Sequence, residues 1–456
     1  MNKPTKSFDV DQILELDNHL VHSFSDLNAL KEKSARTVIT MADGPYVYDA
    51  KGNKYIDGIG GLWCVNVGHG RHEIADAIAA QLKELDYYST FYNLTHPLAA
   101  ELSQKIASMA PGDLNKVYFG NSGSVANDTA VRILQHYFNR KGQPNKKRIL
   151  SRIGAYHGST YMAIAMTTPA YREGWDSADH LVDFLSSPYP YRRPENMNVE
   201  EFCDFLVEEM VEKIESIGAE NIAGFIAEPI MGAGGVIVPP PGYHKRTAEV
   251  CQQYEIKLIS DEVVTAFGRL GHMFASENVF DIQPDIICTA KGLTSGYQPM
   301  SATVISDEIY DVISQPGGMF MHGMTYSSHP ACCAAALANI EIIENENICG
   351  HVQKYGPMFE TGMKKLERHE IVGEVRGSHF MMGIEFVRDK IGKQPFDNED
   401  NIGGIVAKHA QAQGLIVRPL GSMAVLSPCL VLQENEINQI VDILDASIGA
   451  AMKEIA

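Results

Sequence analysis

The chain has 456 residues, 45% hydrophobic and 21% charged, an ordinary globular composition with room for two or three units that each hold a core. Acidic residues number 57 against 38 basic ones, a formal charge of −19. That balance excludes nucleic-acid backbone and anionic membrane as partners, which both require a surplus of Lys and Arg. Eight scattered cysteines without a CxxC pair exclude a zinc ribbon and a disulfide scaffold.

The opening stretch, MNKPTKSFDVDQ, has no apolar signal core, and no apolar run reaches bilayer length, so a reducing cytoplasm is the expected compartment. Residues 8–34 are expected to be helical or irregular. GPYVYDAKGNKYIDGIGG (44–61) predicts a β-hairpin turning at Asp49–Asn53. From about residue 70, helix-period patterns such as HEIADAIAAQLKEL alternate with short apolar strands: KVYFG (116–120), RILSR (148–152), AGFIAE (223–228), KLISDE (257–262), DIICTA (285–290) and SATVIS (301–306). Strands this apolar are buried on both faces, and their alternation with helices predicts an α/β fold with a mostly parallel central sheet. After residue 330, a long small-residue helix is followed by paired strands in VGEVRGSHFMMGIEFV, a helix in NIGGIVAKHAQAQ and a hairpin in GLIVRPLGSMAVLSP. The expected organisation is a large domain over 71–330 and a smaller α+β domain formed by 1–70 and 331–456.

In parallel sheets ligands sit beyond the carboxyl ends of the strands, so the chemistry is sought there. The first strand runs into FGNSGSVAND, where Ser122, Gly123 and Ser124 open a helix; free N–H groups and the helix dipole make a phosphate seat, though Gly/Ser turns alone are more often plain N-caps. The second is followed by Tyr156 and His157, an aromatic able to stack on a flat ring. The strand at 223 ends at Glu228, held extended by the next proline. The strand at 257 ends at Asp261, and Lys291 follows IICTA. A lysine amine forms a Schiff base with an aldehyde. A carboxylate that keeps a pyridine nitrogen protonated makes the ring an electron sink. With a phosphate seat and an aromatic cover, the set fits pyridoxal 5'-phosphate (PLP) better than a nucleotide. No GxxxxGK[ST] loop is present, and GNSGS lacks the second glycine of a serine-hydrolase elbow. The histidines of HGRHE (69–73) have no evident third partner for a metal, Cys332 and Cys333 read as core, and VEEFCDFLVEEMVEKIE as an exposed amphipathic helix.

The motifs GPYVYDAKGNKYIDG, NSGSVAND, AYHG, AEPIMGAGG, ISDEV, FGRLG, PDIICTAKGLTSGYQP, HGMTYSSHP and GLIVRPLG together resemble the class III PLP-dependent aminotransferases of fold type I, and within them the amine–pyruvate, or ω-transaminase, branch. The resemblance covers nearly the whole chain. It implies transamination from a primary amine or ω-amino acid to pyruvate, giving alanine by a ping-pong mechanism, in a cytoplasmic homodimer or tetramer. Lys291 matches the Schiff-base lysine and proton shuttle, Asp261 the partner of the ring nitrogen, and Val263 and Tyr156 the residues on the two ring faces. Ser122, Gly123 and Ser124 match the phosphate cup, with His157 and Glu228 nearby, and Thr325 a phosphate contact supplied by a neighbouring subunit. Leu62, Trp63, Phe91 and Tyr92 match the pocket lining, with Phe24, Ser159 and Ala233 beside them. Arg418 matches the arginine that pairs with a substrate carboxylate through a bidentate fork. The branch usually has glutamate where this chain has Val125, and dicarboxylate-acting relatives carry arginine about where it has Val425. Ser159 stands where some amine-active relatives have valine. β-Alanine, taurine, diamines and arylalkylamines all remain open as donors. Other PLP chemistry on the same fold (aminomutase, racemase or decarboxylase) is the alternative.

Overall fold

The computed structural model describes residues 8–32 and 36–455. Residues 1–7 of the opening stretch, and 33 and 34 of the segment expected to be helical or irregular, lie outside the described residues; within that segment Val10–Leu16 is a helix. The strands in chain order begin with β1 (Ile39–Asp43), β2 (Tyr46–Asp49) and β3 (Lys54–Asp57). The central set is β4 (Leu114–Gly120), β5 (Arg148–Arg152), β6 (Val182–Leu185), β7 (Ile222–Ala227), β8 (Lys257–Asp261), β9 (Ile286–Thr289) and β10 (Ser301–Ser306). The last are β11 (Val372–Ser378), β12 (Met381–Asp389), β13 (Gln394–Pro395), β14 (Leu415–Ile416), β15 (Arg418–Leu420) and β16 (Met423–Leu426).

The seven central strands form one sheet in the order β4-β10-β9-β8-β7-β5-β6. Only β10 runs against its neighbours, so the expected mostly parallel sheet is present. β7 and β10 are buried along their whole length, because both faces of the sheet are covered. The period of two sorts neighbouring residues to opposite layers. Ile149, Ile226 and Ile259 pack with Ala130 and Leu134 of the helix Gly123–Arg140. Leu150, Phe225 and Leu258 pack on the other side with Met210 and Ile214 of the helix Val199–Ile217. That helix buries Phe202, Leu206, Met210 and Ile214 at four-residue spacing and starts with a capping box between Asn198 and Glu201.

The strand β6 has no counterpart in the expectations from sequence. It is four residues long, and Asp183 in its middle, which breaks the apolar run, is held by the guanidinium of Arg148 on β5 at 2.7 and 2.9 Å.

The hairpin β2–β3 turns at Asp49–Asn53, where the Asp49 carboxylate accepts the N–H groups of Lys51 and Asn53. β14 pairs with β3 in parallel, Leu415 opposite Ile56, completing a four-stranded sheet β1-β2-β3-β14 from both ends of the chain. β15 and β16 form the late hairpin and continue the antiparallel sheet of β11 and β12. All eight cysteines are free thiols, and no helix among the described residues is long and apolar enough to cross a membrane.

Candidate active site

The carboxyl ends of β4, β5, β7, β8 and β9 converge on a cavity of about 210 Å³. Asp261, the last residue of β8, is only 4% exposed. Its Oδ2 accepts the Asn127 side-chain N–H at 2.8 Å and pairs with His157 Nδ1 at 2.7 Å; its Oδ1 accepts the Val263 N–H at 3.1 Å. Period-two geometry sends the next residue, Glu262, the other way. That carboxylate is fully buried, and takes the N–H groups of Ala275 and Ser276 and the hydroxyls of Ser276 and Thr265.

Lys291 follows β9 at the first position of a short 3-10 turn, with φ of +38°, a left-handed conformation that a lysine adopts only when its surroundings impose it. Burial pushes its ammonium below lysine's ordinary range, while the carboxylates of Asp261 and Glu228 pull the other way. The shift favours the amine over the ammonium, and the amine is the form that attacks an aldehyde and takes up a proton.

Glu228 leaves β7 and binds two loops at once: Oε1 accepts the Tyr156 N–H at 3.0 Å and Oε2 the Gly232 N–H at 2.8 Å. Burial pushes its carboxyl up, and the nearby His157 opposes that rise. Tyr156 lines the cavity, and its ring packs edge-on against Phe24 and Tyr171, with centroids 6.0 and 5.4 Å away.

At the end of β4, Ser122 caps the helix Gly123–Arg140, its hydroxyl accepting the Val125 N–H at 3.2 Å. The first-turn N–H groups of Gly123 and Ser124 face outward without intrahelical partners. A Cβ at Gly123 would press on both methyls of Val263 at 3.0 Å. At Gly158, whose φ is +136°, a Cβ would overlap the Ser124 side chain. The site thus keeps a cradle free of side chains beside a helix start, a buried carboxylate and a lysine amine. These residues fit a flat pyridine ring that carries an aldehyde and a phosphate arm.

Thirteen of the residues singled out from sequence line the cavity together. Beyond those described, they include Leu62, Trp63, Ala233 and Arg418. Arg418 opens β15, and among the described residues no carboxylate pairs with its guanidinium. Ser122, Ser159, Phe91, Tyr92 and Thr325 do not line it. Ser159 sits at an exposed position, its hydroxyl 3.0 Å from that of Tyr156. Phe91 packs on the backbone near Gly323, and the Thr325 carbonyl accepts the Tyr87 hydroxyl, so these residues form a separate surface on this chain.

Sequence reasoning passed over Asn127, which lines the cavity and binds Asp261. The signal was present: Asn127 lies four residues after Gly123 in a helix, hence on the same face as the phosphate seat. Gly158, Ile230, Gly232 and Val264 complete the lining from within motifs already quoted.

The sequence matches the model of the family "Aminotransferase class-III" over residues 28–448. It is 41% identical over 447 residues to the putrescine–pyruvate aminotransferase of Pseudomonas aeruginosa, covering 97% of each chain. The fold is similar to that of an (S)-enantioselective ω-transaminase from Thermomicrobium roseum, with TM-score 0.95, 38% identity, and coverage of 98% of this chain and 100% of that one. It is similar also to the ω-transaminase of Pseudomonas jessenii in complex with PMP, with TM-score 0.94, 35% identity, and coverage of 97% and 98%. A match of this extent, on a cavity with this chemistry, makes the chain a member of the class III aminotransferases, enzymes whose cofactor is pyridoxal 5'-phosphate.

Proposed function

We propose that this enzyme moves an amino group from a primary amine or ω-amino acid to pyruvate, giving alanine, by alternating half-reactions. The observation that carries the reading is an arginine without a carboxylate partner, Arg418, on the wall of a cavity that also holds Lys291 and Asp261. The names of the putrescine–pyruvate and ω-transaminase relatives support it.

When bound, PLP supplies an aldehyde that receives the amino group and a ring that accepts electron density. In this reading Lys291 tethers the cofactor at rest, then takes a proton from the donor carbon as a general base, for which its lowered pKa suits it. The Asp261 carboxylate, held by Asn127 and His157, would accept the ring N–H and keep it protonated. Tyr156 and Val263 would flank the ring, and the Gly123–Ser124 turn beside the Ser122 cap would hold the phosphate. Arg418 grips the carboxylate of pyruvate through a bidentate fork. Phe24, Leu62, Trp63 and Ala233 enclose the rest of the donor, and the hydroxyl of Ser159 makes the mouth more polar.

Assembly is proposed as a homodimer in which Thr325, Phe91 and Tyr92 reach the cavity of a second copy. Exposed apolar side chains around them, Tyr92 at 88% and Met321 at 77%, support such a contact surface. The proposed domains are 71–330 for the cofactor and 1–70 with 331–456 for the smaller unit, and the proposed compartment is the cytoplasm.

The test is covalent. Borohydride reduction of the holoenzyme followed by peptide mapping should place the cofactor on Lys291, and an amine given without acceptor should release one equivalent of carbonyl product, with alanine formed on adding pyruvate. Cofactor mapped to another residue, or product released without retention of the amino group, overturns the proposal.

A further inference from the structure

Two pocket residues, Leu62 and Trp63, are delivered by a turn that the backbone resists. Gly60 and Gly61 have φ of +54° and +68°, and Trp63 follows at +65°, a left-handed conformation for a large aromatic residue. Such a conformation persists only where its surroundings over-determine it. What holds it lies outside the cavity. Asp57, the last residue of β3 and 4% exposed, accepts the Gly61 N–H on Oδ2 at 2.7 Å and the Ile59 N–H on Oδ1 at 3.2 Å. The His69 ring sits 3.1 Å from the same Oδ2 and braces the carboxylate from behind.

The start of the turn is fixed by other bonds, including one from the Ser427 hydroxyl to Ile59 O at 3.0 Å. Gly58 N–H donates to Ile416 O at 3.0 Å, and Ser427 N–H to Gly58 O at 2.8 Å. These bonds tie the start of the turn to β14, two residues before Arg418, and to the end of β16. Within the turn Trp63 N–H donates to Ile59 O at 2.8 Å, so the carboxylate acts on Leu62 and Trp63 by fixing the Ile59 and Gly61 amides from which that bond is built, and leaves the arginine's strand to the sheet.

We infer that Asp57 is a positioning residue that sets the size of amine the pocket accepts, by holding the strained turn that carries Leu62 and Trp63. The inference rests on the reading of the cavity as the amine pocket. Without the carboxylate the amides of Ile59 and Gly61 lose their acceptor, the left-handed Trp63 relaxes, and the wall retreats.

The experiment compares holoenzymes of the parent with Asp57→Ala, Asp57→Asn and Trp63→Ala. The readout is the ratio of kcat/KM for 1-phenylethylamine to that for butylamine, together with the KM for pyruvate. Trp63→Ala should move the ratio toward the bulky amine at least fivefold. Asp57→Ala should move it at least fivefold in the same direction while the KM for pyruvate stays within twofold. Asp57→Asn, which keeps an oxygen for the Gly61 N–H but turns its NH2 toward the Ile59 N–H, should move the ratio less than Asp57→Ala does, and a shift as large as that of Asp57→Ala overturns the role assigned to the Gly61 contact. If Asp57→Ala does not fold, Asp57→Ser, with one acceptor instead of two, is judged by the same criterion. A shift with Trp63→Ala but none with the Asp57 variants overturns the role of Asp57 alone. Equal losses for both amines and for pyruvate also overturn it, as a merely structural effect. No shift with Trp63→Ala overturns the pocket reading and the inference with it.

Discussion

Replacing Asp261 by asparagine changes one oxygen for an NH2 group in a buried site where Asn127 Oδ1 is an unpaired acceptor. Oδ2 serves two donors, Asn127 and His157, and Oδ1 serves the Val263 N–H. If the asparagine oxygen takes the Oδ2 position, its NH2 faces the Val263 N–H and the ring nitrogen's proton. If it takes the other, the NH2 faces Asn127 and His157. Either way a buried donor at a 4% exposed position loses its acceptor, unless His157 changes tautomer or Asn127 turns its amide to present the free Oδ1. The larger effect falls on the cofactor. A hydrogen bond to a charged group contributes about 1.5–3 kcal/mol, so its loss should weaken PLP retention about 10- to 150-fold. The assay is an absorbance titration of the apo-enzymes with PLP, backed by equilibrium dialysis, and the amine half-reaction should slow with it. An affinity within twofold of the parent, with an unchanged half-reaction, refutes the assignment of Asp261 to the ring nitrogen.

Arg418→Ala removes the fork proposed for the acceptor, and should raise the KM for pyruvate about 10- to 150-fold on the same basis while the half-reaction with a carboxylate-free amine stays within about twofold; equal losses on both sides would remove Arg418 from that role. His244, 4% exposed and donating from Nε2 to Pro229 O at 2.9 Å, has its imidazole pushed by burial from 6.5 down to about 3. Because the unfolded chain takes the proton first, the stability this ring contributes is full above pH 6.5 and falls by about 1.4 kcal/mol per unit as pH drops toward 3. His244→Gln should therefore lose less stability than the parent between pH 6.5 and 4.5 in denaturant titrations, and parallel slopes would show that the ring is not held neutral. Val125→Thr should stabilise the fold by about 0.5–1.5 kcal/mol, because the buried Ser301 hydroxyl has no partner and both side chains flank Gly120; an unchanged or lower Tm would refute that pairing.

The last of these starts from a departure visible in the sequence and ends at a fact that is not. Valine in place of a carboxylate can be read from NSGSVAND, but the unpaired hydroxyl opposite it belongs to β10, reached only through the sheet. The same division runs through the site. Asp261 and Lys291 were legible because one ends and the other closely follows a largely apolar strand, where a charged residue must either leave the sheet at its ligand edge or be paired. Asn127 was passed over because a polar residue inside an amphipathic helix gives no local sign of what it faces. Thr325, Phe91 and Tyr92 stand apart from the cavity in one chain, since their proposed partner is another copy.

The sequence alone determined the period of each element, the apolar strands that had to be buried on both faces, and the residue types available at their ends, because these follow from local geometry and from the burial of single side chains. Only the tertiary structure decided which ends meet. The strand order sets His157 against Asp261, 104 residues apart in the chain, and the pairing of β14 with β3 places Arg418 beside the turn of Leu62 and Trp63. Such contacts join residues whose own neighbourhoods are indifferent to one another, and they are fixed by how the layers pack, which no short stretch of the chain encodes.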